Sequence, residues 1–171
     1  MLIVLTHLPA DGLKFEHQYE ADELDLSQHE FDLPQPPLIN GRFTNLGQEM
    51  RVKGSLRATL AAICDRCLET VTLPLAADFD LYYLPATAHS DKAGETELLE
   101  RDLDVSYYQH DRIDVDELVL EQLELGLPAR ILCTEECKGL CQQCGTNLNV
   151  ESCQCSAPTD PRWQALADLK S

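Results

Sequence analysis

Residues 52–83 read VKGSLRATLAAICDRCLETVTLPLAADFDLYY. From Val52 to Ala62 the even positions are Val, Gly, Leu, Ala, Leu and Ala, and most odd positions are polar or charged. From Val71 to Tyr83 the odd positions are Val, Leu, Leu, Ala, Phe, Leu and Tyr. Successive side chains of a strand point to opposite faces, so each run describes a strand with one buried side. Two such runs on either side of a short polar segment predict a long antiparallel hairpin with Cys64 and Cys67 at its tip. Pro74 falls on the outward face, which suggests an edge strand or a bulge there.

Outward from the hairpin the signals are shorter. LKFEHQY alternates Leu13, Phe15, His17 and Tyr19 on one face and reads as a strand. LPQPPLING reads as a loop, because its three prolines cannot donate to a ladder. DVSYYQH is a candidate further strand, and residues 86–101 read as a polar insertion that is expected to be mobile. DVDELVLEQLELGLP starts with Asp114 three residues before Glu117, a capping-box spacing. Val115, Leu118, Val119 and Leu123 share one helical face, and Gly126 with Pro128 ends the helix. DPRWQALADLK reads as a short amphipathic C-terminal helix. The expected fold class is α+β: an antiparallel sheet dominated by the hairpin, one packed helix near 114–125, and a cysteine-rich module at the C-terminal end. The expected organisation is an acidic β-rich body, 1–127, and a module, 128–171, packed on it through Cys64 and Cys67.

The second decisive stretch is CTEECKGLCQQCGTNLNVESCQC, residues 133–155, with six of the eight cysteines. No run approaches the roughly 18 apolar residues of a spanning helix. MLIVLTHLPADGLK lacks a basic n-region and a small-residue cleavage site, so it reads as a first strand and not as a secretory signal. The expected compartment is the cytoplasm, where thiols stay reduced, and that favours metal ligation over disulfides. Zinc binds thiolates tetrahedrally, and closely spaced cysteines can bracket one ion from a turn. Cys141, Cys144, Cys153 and Cys155 form the local set, with Gly145 where a knuckle needs positive φ. Cys64, Cys67, Cys133 and Cys137 remain for a long-range set. Closing the 65 residues between Cys67 and Cys133 is an entropic cost of a few kcal/mol, against roughly 10 kcal/mol or more from a structural zinc. Cys137 and Cys141 are the two ligands that spacing leaves exchangeable between the sets.

Three rival readings use the same thiols. Cys137, Cys141 and Cys144 have the C-x3-C-x2-C spacing of a four-iron cluster, but that chemistry needs a large barrel and an open iron. CDRC resembles a redox pair, yet such a pair sits at a helix N-terminus, not a hairpin tip. A single ion with free thiols is a weaker reading still, because every cysteine has a near neighbour. The five histidines (His7, His17, His29, His89, His110) stand at no ligand spacing from a cysteine. No Ser/His/Asp set, phosphate loop or HExxH is present, and a closed four-thiolate zinc has no position for a reacting water. The expected protein is therefore not an enzyme and takes no small-molecule substrate.

The charge is uneven. Residues 1–127 carry 9 Lys+Arg against 25 Asp+Glu, a net of −16, whereas 128–171 carry 4 against 5, a net of −1. Such a body repels phosphate backbones and suits a basic protein partner, and it also keeps the chain soluble.

The CxxC in the hairpin, IDVDELVLEQLELGLP leading into C-x3-CKGLC-x2-CG-x-NLN, the closing C-x-C and DPRWQALADL together resemble the YceD family over roughly residues 50–170. The resemblance implies a bacterial or plastid factor for accumulation of large-subunit (23S) ribosomal RNA and ribosome assembly. Its partners would be a ribosomal protein or a pre-ribosomal large-subunit particle, with direct RNA contact a further option and no membrane. Family members that lack the GLC-x2-CG cluster keep the hairpin CxxC and a downstream pair, which implies the same division of ligands. Two structural zinc ions are expected. The alternatives are a metal-dependent or redox enzyme acting on RNA or thiols, and a zinc-ribbon interaction domain in transcription.

Overall fold

A computed structural model describes residues 1–9, 11–20, 22–47, 49–87, 105–155 and 162. Among the described residues the elements are β1 Leu2–Val4, β2 Leu13–Gln18, β3 Phe31–Asn45, β4 Met50–Ile63, β5 Thr70–Pro85, β6 Val105–Tyr108, β7 Arg112–Asp114 and α1 Val115–Leu125. A five-stranded sheet has the order β2-β3-β4-β5-β6, and β1 pairs with β7 in a separate ribbon. The α+β expectation holds. The chain divides into two compact units, one of 1–62 with 72–129 and one of 63–71 with 130–171. The tip between β4 and β5 thus groups with the cysteine-rich segment.

The long hairpin is β4 and β5, hydrogen-bonded neighbours in the sheet. Val52, Leu56, Leu60 and Ala62 are buried on β4, as are Leu75, Phe79 and Tyr83 on β5. Pro74 is exposed. The partner on the far side of β5, β6, pairs with Tyr82–Pro85, so Pro74 stands clear of that ladder, on a stretch of β5 with an open edge among the described residues. The β5–β6 pairing is parallel, with Tyr82 opposite Val105, so the sheet is mixed and not purely antiparallel.

LPQPPLING is strand, not loop. β3 runs straight through Pro34, Pro36 and Pro37. Its register with β4 skips between Asp32 and Gln35 and again between Gln35 and Leu38, and the three prolines occupy the skipped positions. Bulges therefore absorb the absent donors. On its other side β3 pairs with β2 from Leu38 to Phe43, clear of the prolines.

The core of the first unit joins both sheet strands and helix. Ile39, Phe43, Val52, Leu56, Ile113, Val115, Leu118, Val119 and Leu123 are almost completely buried. Each such side chain contributes about 1.5–3 kcal/mol relative to exposure. Asp114 caps α1 by accepting from the Asp116 N–H. Tyr19, buried just past β2, donates its hydroxyl to Asp116 Oδ1 at 2.7 Å, and the Met1 ammonium pairs with the other carboxylate oxygen. Burial pushes the Tyr19 phenol up, and the Asp116 carboxylate adds to the effect. The C-terminal DPRWQALADLK helix, most of the 86–101 insertion and His89 lie outside the described residues.

Candidate metal centres

The tip between β4 and β5 is a tight turn, with Cys64 N–H bonded to Glu69 O and Leu68 N–H to Cys64 O. Leu68 takes φ +61 to close it, and its side chain is 62% exposed. The 130–137 segment lies alongside: Asp65 N–H donates to Ile131 O at 2.8 Å, and Ile131 N–H donates to Asp65 Oδ2 at 2.7 Å. These bonds bring Cys133 and Cys137 to the tip. The four sulfurs of Cys64, Cys67, Cys133 and Cys137 lie within 4.8 Å of one another. Cys64 and Cys137 are 3.9 Å apart, and Cys67 and Cys133 are 3.6 Å apart. A tetrahedron with zinc–sulfur distances of about 2.3 Å has edges of about 3.8 Å. The sulfurs are too far apart for disulfides, and three of the four side chains are buried.

N–H donors from backbone and side chain point at this set. Cys133 N–H donates to Cys64 Sγ at 3.4 Å, and the Asn149 side-chain amide donates to Cys137 Sγ at 3.3 Å. Donors from Cys67, Arg66 and Cys133 outweigh burial and lower the Cys64 thiol to about 6. At Cys67 the Glu69 N–H favours the thiolate, but burial and the three neighbouring sulfurs prevail and push it up to about 12. Protein groups alone therefore ionise the set only in part. A dication at its centre would remove the mutual repulsion, so the donor set fits a soft, sulfur-preferring metal.

The second set is more open. Cys141, Cys144, Cys153 and Cys155 also converge within 4.8 Å, with Cys144 and Cys155 exposed. Its frame is the 139–149 turn: Cys141 N–H bonds Thr146 O, Gly145 N–H bonds Cys141 O, and Leu148 N–H bonds Gly139 O. Gly145 has φ +73, the conformation expected of it. The Thr146 hydroxyl and N–H lower the Cys144 thiol to about 6, while the Cys144 sulfur is the first cause that raises Cys155, to about 12. These thiolate-only donors also fit zinc.

The structure thus places Cys137 with the hairpin tip and Cys141 with the C-terminal set. Among the described residues no other group of three or more Cys, His, Asp or Glu side chains converges in this way. His17 pairs with Glu23 and His29 with Glu124, both at 2.8 Å. Sequence reasoning missed the supporting shell. Arg66 Nη1 donates to Cys137 O at 2.6 Å, and Asn149 and Thr146 touch sulfur directly. The asparagines of NLN were the available signal, since amide side chains beside ligands commonly orient them. Among the described residues no helix is long and apolar enough to cross a membrane.

No solved structure matches the chain. Curated sequences do. An uncharacterized protein of Mycobacterium leprae is 26% identical over 135 residues, 78% of this chain and 59% of the relative. A maize protein named chloroplastic large ribosomal RNA subunit accumulation protein YCED homolog 1 is 27% identical, over 79% of this chain and 53% of its own length. The uncharacterized protein YlbN of Bacillus subtilis is 25% identical over 96% of this chain and 92% of its own. The chain spans less than two thirds of the mycobacterial and maize relatives, and nearly all of the Bacillus one. The family model for large ribosomal RNA subunit accumulation protein YceD matches residues 52–170, from the first alternating position of β4 through both cysteine sets, and the chain belongs to that family.

Proposed function

We propose that this protein is a non-enzymatic zinc-binding factor that supports accumulation of large-subunit (23S) ribosomal RNA during ribosome assembly in the cytoplasm. The observation that carries the reading is the presence of two converging four-thiol sets inside the family match. Cys64, Cys67, Cys133 and Cys137 hold one ion, and Cys141, Cys144, Cys153 and Cys155 hold the other. Bound zinc supplies a crosslink and no open coordination position. The residues do the rest: Asp65 and Ile131 align the two segments of the first set, and the 139–149 turn presents the second.

On this reading residues 128–171 are the zinc module, completed by the hairpin tip, and 1–127 are an acidic body that holds a basic partner. The exposed side of α1 supports the second assignment. Glu117, Glu121 and Glu124 line a cavity of about 1130 Å³ together with Tyr107, Tyr108 and Leu120. Among the described residues Glu117 and Glu121 have no cationic partner. Like charges four apart on a helix repel, and Glu124 sits at the unfavourable C-terminal end. A lysine- or arginine-rich segment of a ribosomal protein, or of a pre-ribosomal large-subunit particle, would relieve both.

The test is purification of the tagged, full chain at low salt, with identification of bound proteins and RNA. Large-subunit precursors or ribosomal proteins are expected. Their absence, or iron in place of zinc on metal analysis, overturns the reading.

A further inference from the structure

The two thiol sets share a connection that neither set requires for its own ligands. Asn149 belongs to the loop between Cys144 and Cys153, and so to the frame of the second set. Its side chain nevertheless serves the first: Nδ2 donates to Cys137 Sγ at 3.3 Å, and Oδ1 accepts from the Lys138 N–H at 2.8 Å. The same amide is held in place from behind, with Nδ2 and the backbone N–H donating to Asn147 Oδ1 at 2.9 and 3.0 Å. Asn147 in turn is fixed by the second set's turn, through its bridge to Leu140 beside Cys141. A second thread runs parallel. Leu140 N–H donates to Arg66 O at 3.1 Å, and Asn147 Nδ2 donates to Glu69 Oε1 at 3.4 Å, so the turn also braces the tip that carries Cys64 and Cys67.

Resting on the zinc reading above, we infer that the two metal centres are energetically coupled through Asn149, a positioning residue: loading the second set tightens the first. Four thiolates around one dication leave two surplus negative charges, and N–H donors to sulfur disperse them. A donor is effective only when its position is fixed. Asn149 is exposed and lies on a loop whose course depends on the turn between Cys141 and Cys153. With the second ion bound, that loop is closed at both ends and the amide is held over Cys137. With the ion absent, the loop is free at the Cys153 end and the amide must be ordered at the moment of use. By linkage, the first ion assists the second to the same degree. The more open set, with two exposed cysteines, thereby controls the buried one.

The experiment uses the full zinc-loaded chain and a zinc chelator, with alkylation of individual cysteines read by mass spectrometry. In the Cys153→Ser/Cys155→Ser variant, Cys64, Cys67 and Cys133 should become reactive at roughly 10- to 100-fold lower chelator, the range expected for loss of an outer-shell partner. Asn149→Ala should do the same in the otherwise unaltered chain, and its exposed position leaves no void. Asn149→Asp keeps the acceptor for Lys138 N–H but loses the donor and adds a negative charge beside the thiolates, so it should weaken protection at least as much. Combining Asn149→Ala with the two serines should add little, because the amide is already disengaged. Unchanged protection of the first set in the Cys153→Ser/Cys155→Ser variant overturns the coupling, as do effects that multiply in the combined variant. A chain that holds two ions independently sinks only this inference, whereas a chain that holds none sinks the zinc reading with it.

Discussion

Gly139 offers a sharp measure of how tightly the cysteine-rich unit is built. It takes φ +75, and a Cβ added there would stand 2.9 Å from the Arg66 carbonyl oxygen. That oxygen accepts the Leu140 N–H at 3.1 Å, so the obstacle is backbone already committed to the tip. Gly139→Ala therefore incurs two costs. The left-handed conformation costs about 1–2 kcal/mol for a residue with a Cβ. Displacing Arg66 O weakens a hydrogen bond of about 0.5–1.5 kcal/mol. Together they give about 2–3 kcal/mol, or roughly 30- to 150-fold weaker zinc binding, because metal binding and ordering of this segment are one equilibrium. Gly145 is the internal control. Its φ is +73 and nothing lies within 4 Å of an added Cβ, so only the conformational cost applies. Gly145→Ala should weaken its own set by roughly 5- to 30-fold. Chelator competition with site-resolved alkylation separates the two. Equal losses in the two variants, or a neutral Gly139→Ala, would refute the claim that backbone crowding at Arg66 sets the knuckle's geometry.

Cys67→Ser should halve the bound zinc and loosen the whole fold, while Cys153→Ser should release one ion and leave the sheet intact; metal analysis with circular dichroism checks both, and loss of both ions from each variant defeats the two-site division. Asp116 provides a pH signature. Burial acts against its carboxylate, but the Met1 ammonium and the Tyr19 hydroxyl outweigh it and lower its pKa. Stability from a depressed carboxyl is complete above the unfolded value, near 3.9, and is lost as pH falls through the folded one. The Tm difference between the wild type and Asp116→Asn should therefore stay constant above about pH 5 and shrink below about pH 4. A difference that persists at the lowest pH would show that shape, not charge, matters there.

Period-2 alternation identified β4, β5 and β2 because one face of each is buried or, in β2, half-buried, and burial is what selects residue type. The helix over 115–125 was legible for the same reason, with Asp114 as its cap. Prolines misled at 34–37: a rule about hydrogen-bond donors cannot foresee that bulges will skip those positions. The parallel course of β6 was equally hidden, since four residues of strand carry no mark of direction.

For the candidate centres, cysteine spacing alone names the candidate ligands and their natural pairs, because a tight turn can bring only near neighbours together. Spacing also suggests which pairs converge, a local set first and a long-range set by remainder, but it leaves Cys137 and Cys141 exchangeable, since sulfurs of adjoining pairs look alike along the chain. The fold brings Cys133 and Cys137 to Cys64 and Cys67 by laying residues 130–137 against the hairpin tip through Asp65 and Ile131. The amides of Asn147 and Asn149 likewise acquire a role only through the fold, since a hydrogen bond to sulfur depends on ångström-scale placement that no local pattern encodes.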